Sequence, residues 1–371
     1  MKIGRQLRPS ELYRPSPCLH LLPVVEGPSQ GKSAPGLVEF VRAHADELRA
    51  ELFERGALLL RGFGDTAPST FGEASRALLG ELGEYPFFTG NYRKRLAPGV
   101  VESSSVASHL PVIPHTEQSF NRLRPRTLGF ACLEPASAGG HTTLHDMAAI
   151  HAELPMWMAR LLAQSSIGKR TLPLDATGRR NLFGDVSLAE VRAICERFGA
   201  ECAIDGERVA ISTQGPCVTR HPESGLDCFS AFSTTLDSVY DFFSDDELGT
   251  YPGASATVRR CAELMPFAMF TRILKLSSVH FRRENLYFFE REGREVDLGR
   301  VLHRATNELI WKHSLLWNWQ RGDVLFIDNI RVGHSRMPYL GQQRRLAAVI
   351  GPLYDALDQV YRPGLRAGQA A

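Results

Sequence analysis

The sequence predicts an α+β protein built on a double-stranded β-helix, or jelly roll, with flanking helices and an insertion. Short apolar runs near the C-terminus, at 314–319, 323–327 and 346–350, are bounded by Gly, Asn and Arg residues, as is typical of strands. Further strand-like runs occur earlier with only a few helical segments between them. This pattern favours two packed sheets over a regularly alternating βαβ sheet.

Composition and apolar spacing in the first third of the chain predict an N-terminal extension followed by the start of the domain. Residues 1–35 are rich in Pro, Ser and Gly and predict a surface coil with one short strand at 19–25. Apolar residues at helical spacing predict a helix over 37–55, which Gly56 would end. A buried strand at 57–61 and a helix at 70–82 follow.

The middle of the chain predicts a lid and an insertion within one domain at 36–355, before a tail at 356–371. The segment around 86–112 contains Gly and Ser and has little periodicity, which is typical of a lid. Beyond it, the patterns predict strands at 127–133 and 141–145 and a helix at 147–162. The predicted insertion, 165–231, contains a helix at 188–198 and strand-like runs at 208–212 and 217–220.

Charge and cysteine content exclude several classes of protein. The 43 basic and 41 acidic residues nearly cancel, so the chain lacks the basic surface of a nucleic-acid-binding protein. The seven cysteines are odd in number and contain no C-x-x-C pair, which argues against a disulfide framework or a zinc ribbon. No apolar run suggests a signal peptide or a membrane span. We expect a soluble cytoplasmic protein acting on a small molecule, of open oligomeric state.

A His-x-carboxylate pair provides the first candidate metal ligands. His115 and Glu117 are two residues apart, and on a strand such residues project from the same face. One further histidine would complete the two-histidine, one-carboxylate triad of non-haem iron(II) oxygenases, which leaves coordination positions open. The pair alone is a weak signal in a chain with 12 histidines.

Three residues elsewhere are candidates to complete this site. His334 follows a predicted strand and a glycine, although a loop histidine after a core strand would have the same spacing. Arg345 begins the last apolar run, and a buried guanidinium there would require an anion. The distal carboxylate of 2-oxoglutarate fits, because arginine can bind it through two parallel hydrogen bonds. Thr142 could add a hydroxyl group, but threonine is also a common strand residue.

Taken together, five ordered motifs across residues 55–351 resemble the taurine dioxygenase family, and within it the syringomycin-type hydroxylases of natural-product biosynthesis. They are LLLRGF, PHTEQSF, PASAGGHTTLHDM, WQRGDVLFIDN and HSRMPYLGQQRRL. The resemblance implies the jelly-roll fold, with Fe(II) on His115, Glu117 and His334 and with O2 as oxidant. It also implies 2-oxoglutarate bound by Thr142 and Arg345, with Arg336 nearby.

The sequence departs from the family at positions that supply no ligand. Ser335 replaces a frequent glycine, and Thr116 replaces asparagine or a similar residue. The segment at 221–232 lacks the VWFN stretch usual near the substrate and has Cys228 to Ala231 instead. Related halogenases replace the carboxylate ligand by a small residue, so Glu117 argues against halogenation.

The expected substrate is an amino acid or small carboxylate, free or tethered to a carrier protein. Its anionic group could pair with Arg93, Lys94 or Arg95 in the predicted lid, although such a charge run also fits a solvated surface. Ser119 and Phe229 are further candidate substrate contacts. Hydroxylation is the expected outcome, and desaturation or cyclisation remains open. Two other hypotheses are a catalytically idle metabolite-binding protein and a zinc hydrolase, which would leave Arg345 without a clear role.

Overall fold

Two packed sheets, antiparallel except for one parallel pair at the edge of the larger, form the centre of the molecule. The computed structural model describes residues 4–27, 36–64, 66–84, 93–103, 108, 112–171, 173–230, 285–296, 306, 308–337, 339–340 and 344–358. The larger sheet has seven strands, in the spatial order β1 (Val24–Glu26), β2 (Ala57–Arg61), β18 (Val324–Asp328), β7 (Thr127–Glu134), β21 (Arg345–Ile350), β4 (Val100–Glu102) and β3 (Arg95–Ala97). The smaller sheet has four: β17 (Ser314–Leu316), β9 (Thr142–Asp146), β19 (Val332–Arg336) and β5 (Val112–His115).

The space between these two sheets is filled by apolar side chains from both. Leu59, Phe130 and Leu325 of the larger sheet belong to one buried cluster with Leu144 and Val332 of the smaller sheet. Burial of this apolar area is the main favourable term that holds the sheets together. The predicted jelly roll is thereby confirmed.

Three helices cover the outer face of the larger sheet. They are α1 (Leu37–Ala43), α2 (Ala45–Arg55) and α3 (Pro68–Leu79). Side chains such as Val41, Leu52 and Phe71 pack on the outward residues Leu60 and Phe326. The predicted helix at 37–55 is interrupted at position 44, and Gly56 ends it in the left-handed conformation, with φ at 104°.

The predicted insertion, 165–231, supplies three strands of a further sheet and two helices, and residues 285–296 supply the other two strands of that sheet. This five-stranded sheet comprises β11 (Glu201–Asp205), β12 (Arg208–Pro216), β10 (Ser165–Thr171), β15 (Asn285–Arg291) and β16 (Arg294–Val296). Helices α6 (Ala176–Phe183) and α7 (Leu188–Arg197) accompany it, and the hairpin of β13 (Val218–Arg220) and β14 (Asp227–Phe229) follows. Helix α7 begins at Ser187, which forms a capping box with Glu190.

The remaining elements connect these layers. Two helices, α4 (Met147–Glu153) and α5 (Met156–Ala163), replace the predicted helix at 147–162, because Pro155 has no N–H with which to continue the first of them. Two short pairs join β20 (Tyr339–Leu340) to β8 (Ala138–Gly139) and β22 (Leu353–Asp355) to β6 (Leu123–Pro125).

The N-terminal extension takes part in the core. Leu21 and Leu22 are fully buried beside Trp317, and strand β1 pairs in parallel with β2. The short strand expected at 19–25 is present in part as β1, whereas the expectation of a surface coil is wrong at Leu7 and Cys18, which are also buried. Most of the predicted lid at 86–112 lies outside the described residues; its described part contains β3 and β4.

Candidate active site

The structure brings the three predicted metal ligands together. Atoms able to bind a metal on His115, Glu117 and His334 all lie within 4.8 Å of one another. The two histidines are direct partners across the pair of β5 and β19, and their ring centroids are 4.3 Å apart. Gly333 helps to permit this approach, because a Cβ there would lie 2.8 Å from the Met147 sulfur.

Glu117 reaches the site in a different way from that predicted. Strand β5 ends at His115, and Glu117 lies on the turn that follows, so the two side chains do not share a strand face. The next residue, Gln118, has φ at 60°, which is uncommon outside glycine. The chain therefore leaves the strand sharply between the first and second candidate ligands.

The protonation states suit a divalent cation. His115 Nδ1 lies 2.7 Å from the Ile113 carbonyl oxygen and must donate to it, so the other ring nitrogen, Nε2, is the one that faces Glu117, at 3.9 Å. Burial raises the pKa of Glu117, but interaction with His115 and the charge of Arg93 outweigh it and lower this pKa to about 2. Burial, followed by the charge of His115, lowers the pKa of His334 well below its usual value.

These residues fit an iron(II) ion. Two imidazoles and one carboxylate form the donor set of non-haem iron(II) oxygenases. His334 Nδ1 is buried and has no hydrogen-bond partner in the described part of the chain, as fits a ring whose surroundings are incomplete without a bound group. The site thus offers two imidazoles and one carboxylate that would hold the metal.

A buried polar group containing Thr142 lies on the same strands. Thr142 Oγ1 accepts hydrogen bonds from Trp319 Nε1 at 3.1 Å and from Arg344 Nη2 at 3.2 Å. Arg344 Nε donates to the Gly140 carbonyl at 2.7 Å. Thr142 also pairs directly with Arg336, which is two residues beyond His334 on β19 and therefore projects from the same face as that ligand.

The arginine that contacts Thr142 is Arg344, and the prediction of a buried Arg345 is wrong. Arg345 is exposed and stands opposite Glu134 on β7. The register between β21 and β7 shifts immediately after it, between Arg345 and Leu346. The extra residue at this shift lies on β7, and Arg344, which immediately precedes β21, is the side chain that reaches Thr142.

Two arginines converge on this region. The guanidinium carbons of Arg336 and Arg344 lie 5.2 and 5.8 Å from the centroid of the same ring, Tyr339. Burial lowers the pKa of Arg336 to about 10. Burial, together with the positive charge of Arg336, lowers the pKa of Arg344 to about 9. Two neighbouring positive charges, one buried and one half-buried, favour the binding of an anion.

The predicted substrate contacts fall into different surroundings. Arg93 is half-buried, with Nη2 3.9 Å from Glu117 Oε1, and Nη1 donates to the Ser103 carbonyl. Arg95 is exposed on β3, so its predicted role has no support from its position. Ser119 is buried, and its hydroxyl has no partner in the described part of the chain. Phe229 is buried in an apolar cluster with Phe120 and Met147.

Ser335, the departure from the usual glycine, has a partner of its own. His145 Nδ1 lies 3.2 Å from the Ile310 carbonyl oxygen and must donate to it, so Nε2 accepts from Ser335 Oγ at 3.1 Å. Burial lowers the pKa of His145 to about 3, which keeps the ring neutral. Both ring nitrogens of His145 are therefore engaged in hydrogen bonds within the fold.

A second group with metal-ligand chemistry, His221, Glu223 and Asp328, is neutralised by arginine. Arg126 donates to Asp328 Oδ1 at 2.9 Å and to Glu223 Oε2 at 2.7 Å. His221 Nε2 lies 2.5 Å from Asp328 Oδ2. These contacts link the hairpin of β13 and β14 to the end of β18, and we regard this group as structural.

Three residues of the site, Arg344, Trp319 and Asn329, were not predicted from the sequence. Arg344 adjoins the predicted arginine, so only the strand register distinguishes the two. Trp319 is the first residue of the WQRGDVLFIDN motif and Asn329 is the last, so membership of this motif could have indicated both. Asn329 binds the backbone of Glu117 through its side chain.

Comparisons with known proteins agree with this site. The family described as "Taurine catabolism dioxygenase TauD, TfdA family" matches residues 23–172 and 270–350. The dapdiamide synthesis protein DdaC of Enterobacter agglomerans is 26% identical over 94% of this chain and 98% of its own length.

Solved structures share the fold at low identity. A taurine dioxygenase from Burkholderia xenovorans aligns with a TM-score of 0.51 and 13% identity over 94% of this chain and 90% of its own. AAD-2, solved with Mn(II) and N-oxalylglycine, aligns with a TM-score of 0.52 and 13% identity over 95% and 98%. These matches do not confirm the narrower resemblance to syringomycin-type hydroxylases. None of the described helices is long and apolar enough to cross a bilayer. The chain belongs to the TauD/TfdA family and is an Fe(II)- and 2-oxoglutarate-dependent dioxygenase.

Proposed function

We propose that this dioxygenase hydroxylates an unactivated C–H bond of an amino acid or small carboxylate, free or tethered to a carrier protein, in natural-product biosynthesis. His115, Glu117 and His334 hold the iron, and Thr142, Arg336 and Arg344 form the pocket for 2-oxoglutarate. The observation that carries the assignment of the metal site is the close grouping of the three ligand side chains.

The position of the two arginines supports the co-substrate pocket. Bound Fe(II) and 2-oxoglutarate supply the oxidation of the C–H bond by O2, with release of succinate and carbon dioxide. Arg336 lies two residues from His334 on one strand, a rise of roughly 7 Å. A short dicarboxylate can therefore contact the metal at one end and the arginines at the other. The two guanidiniums would fix the distal carboxylate through charge-assisted hydrogen bonds.

Arg93 supports an anionic substrate. Its guanidinium is half-buried and lies 3.9 Å from Glu117 Oε1, so it is the described cation nearest to the carboxylate ligand. A substrate carboxylate placed there would lie beside the metal. The relative DdaC is named for dapdiamide synthesis, and its similarity extends over nearly the whole of both chains. Together these features favour a small amino-acid-like substrate from such a pathway.

Anaerobic addition of Fe(II) and 2-oxoglutarate together should produce a weak visible charge-transfer band. Two histidines and one carboxylate leave open positions at which the co-substrate can chelate the metal. Absorption spectra of the metal-free protein, with each component alone and with both, provide the measurement and its controls. A fully iron-loaded sample that shows no new band would contradict chelation at this site.

The substrate class is tested by product formation. Free amino acids and carrier-tethered aminoacyl groups should be screened for succinate release coupled to a mass gain of one oxygen. A loss of two hydrogens would instead indicate desaturation or cyclisation. Succinate release without any change in the tested compounds would show that the substrate lies in another class.

Arg93→Ala should raise KM for the identified anionic substrate by at least about tenfold. A hydrogen bond to a charged group contributes roughly 1.5–3 kcal/mol, and 1.4 kcal/mol corresponds to a factor of ten. Arg95→Ala is the matched control, because Arg95 is exposed two residues away, and its KM should not change. Equal effects of the two substitutions on KM would show that Arg93 does not bind the substrate.

A further inference from the structure

One buried side chain holds the backbone of the carboxylate ligand. Asn329 Oδ1 accepts a hydrogen bond from the Glu117 N–H at 2.8 Å, and Asn329 Nδ2 donates to the Glu117 carbonyl at 3.1 Å. The same Nδ2 donates to the Pro125 carbonyl at 2.9 Å. His115 is aligned by a neighbouring strand, whereas Glu117 lies on a turn. The carboxamide of Asn329 therefore fixes the backbone position of Glu117, whereas strand pairing fixes the backbone position of His115.

Asn329 is itself rigidly placed. It is 2% exposed, and its backbone N–H donates to the Arg126 carbonyl at 3.0 Å. The preceding Asp328 is fully buried, binds Arg126 and His221, and accepts from the Ile330 N–H at 3.0 Å. This turn joins β18 to β19, the strand that carries His334. Asn329 thus connects the segment of one metal ligand to the segment of another.

The turn at Glu117 depends on such support. Gln118 adopts φ of 60°, a conformation that a non-glycine residue keeps only where its surroundings hold it. Glu117 is itself buried, so loss of Asn329 would leave its N–H and carbonyl without these partners. Relaxation of the turn would then move the carboxylate away from the two histidines.

We propose that Asn329 is a positioning residue that directs the Glu117 carboxylate toward the metal. This inference rests on the proposed role of Glu117 as a ligand. Removing a residue that orients a metal ligand typically lowers metal affinity by about 10–100-fold. Asn329→Ala should therefore weaken binding of Co(II), used as a spectroscopic substitute for Fe(II), by a factor in this range.

Anaerobic titration of the metal-free protein with Co(II), without co-substrate, measures this affinity independently of turnover. Ser75→Ala is the matched control, because it removes another buried side-chain hydrogen bond, to the Phe71 carbonyl at 2.7 Å in α3, on the outer side of the larger sheet. Its affinity should equal that of the wild type. Asn329→Asp provides a second variant if the alanine protein does not fold. It loses both Nδ2 bonds, while its added negative charge would by itself favour a cation, so weaker binding reports altered geometry.

A double substitution shows whether Asn329 acts through Glu117. In a Glu117→Ala background, Asn329→Ala should cause no further loss of affinity, because the side chain it orients is gone. The same loss with and without Glu117 would overturn the inference, as would wild-type affinity in both Asn329 variants. Wild-type affinity in Glu117→Ala alone would instead show that the ligand assignment in the proposed function is wrong.

Discussion

Glu117→Ala is expected to reduce 2-oxoglutarate turnover below detection and to weaken metal binding more strongly than Asn329→Ala does. The substitution removes the only carboxylate among the three proposed ligands and leaves two histidines. Its pKa of about 2 means that the carboxylate is ionised throughout the neutral pH range, so its full charge is lost. The loss of metal affinity should exceed the roughly 10–100-fold loss that is typical when a residue that orients a metal ligand is changed.

The measurement is an anaerobic Fe(II) titration followed by an assay of succinate release. Glu190→Ala is a suitable control, since this glutamate lies at the exposed start of α7 in the insertion and caps that helix. It should bind iron as the wild type does. Succinate formation at the wild-type rate in Glu117→Ala would show that the carboxylate ligand has been misassigned.

The fold could be predicted because its strands carry clear local signals. The strand at 57–61 and the strand predicted at 346–350, which is β21, were placed within one residue, since each is a short apolar run between turn residues. The helix breaks at His44 and Pro155 were missed, because the apolar periodicity continues across both positions. The buried N-terminal segment was also missed, because pairing with a distant strand leaves no local pattern.

In the candidate site too, features with a local sequence signal were predicted, and features set by distant contacts were missed. The grouping of His115, Glu117 and His334 was predicted, but the reason given for Glu117, a shared strand face, was wrong. Its position depends on a carboxamide from a residue more than 200 positions away in the chain, and no local pattern encodes such a contact. The wrong arginine was chosen for a related reason: β21 begins at Arg345, and no local pattern shows that the preceding residue, Arg344, is the one that reaches Thr142.

Arg344→Ala is expected to raise the dissociation constant of 2-oxoglutarate by at least about tenfold, whereas Arg345→Ala should leave it unchanged. Arg344 is half-buried and bonds to Thr142 and Gly140, while Arg345 is exposed. Charge-assisted hydrogen bonds contribute roughly 1.5–3 kcal/mol each, so loss of even one bond to a carboxylate gives about a tenfold effect. Arg344→Lys should restore the affinity only in part, because an ammonium group cannot reproduce the planar fork of a guanidinium.

Binding is measured by anaerobic titration of the iron-loaded variants with 2-oxoglutarate, after Fe(II) affinity has been determined for each. The Fe(II) affinity should stay near that of the wild type in both variants, because neither arginine is among the three grouped ligands. That result separates loss of the distal carboxylate contact from loss of the metal. If Arg345→Ala weakened 2-oxoglutarate binding and Arg344→Ala did not, the inward-facing side chain would be Arg345. The register at the start of β21 would then have to shift by one residue, which would also move Arg344 away from Thr142.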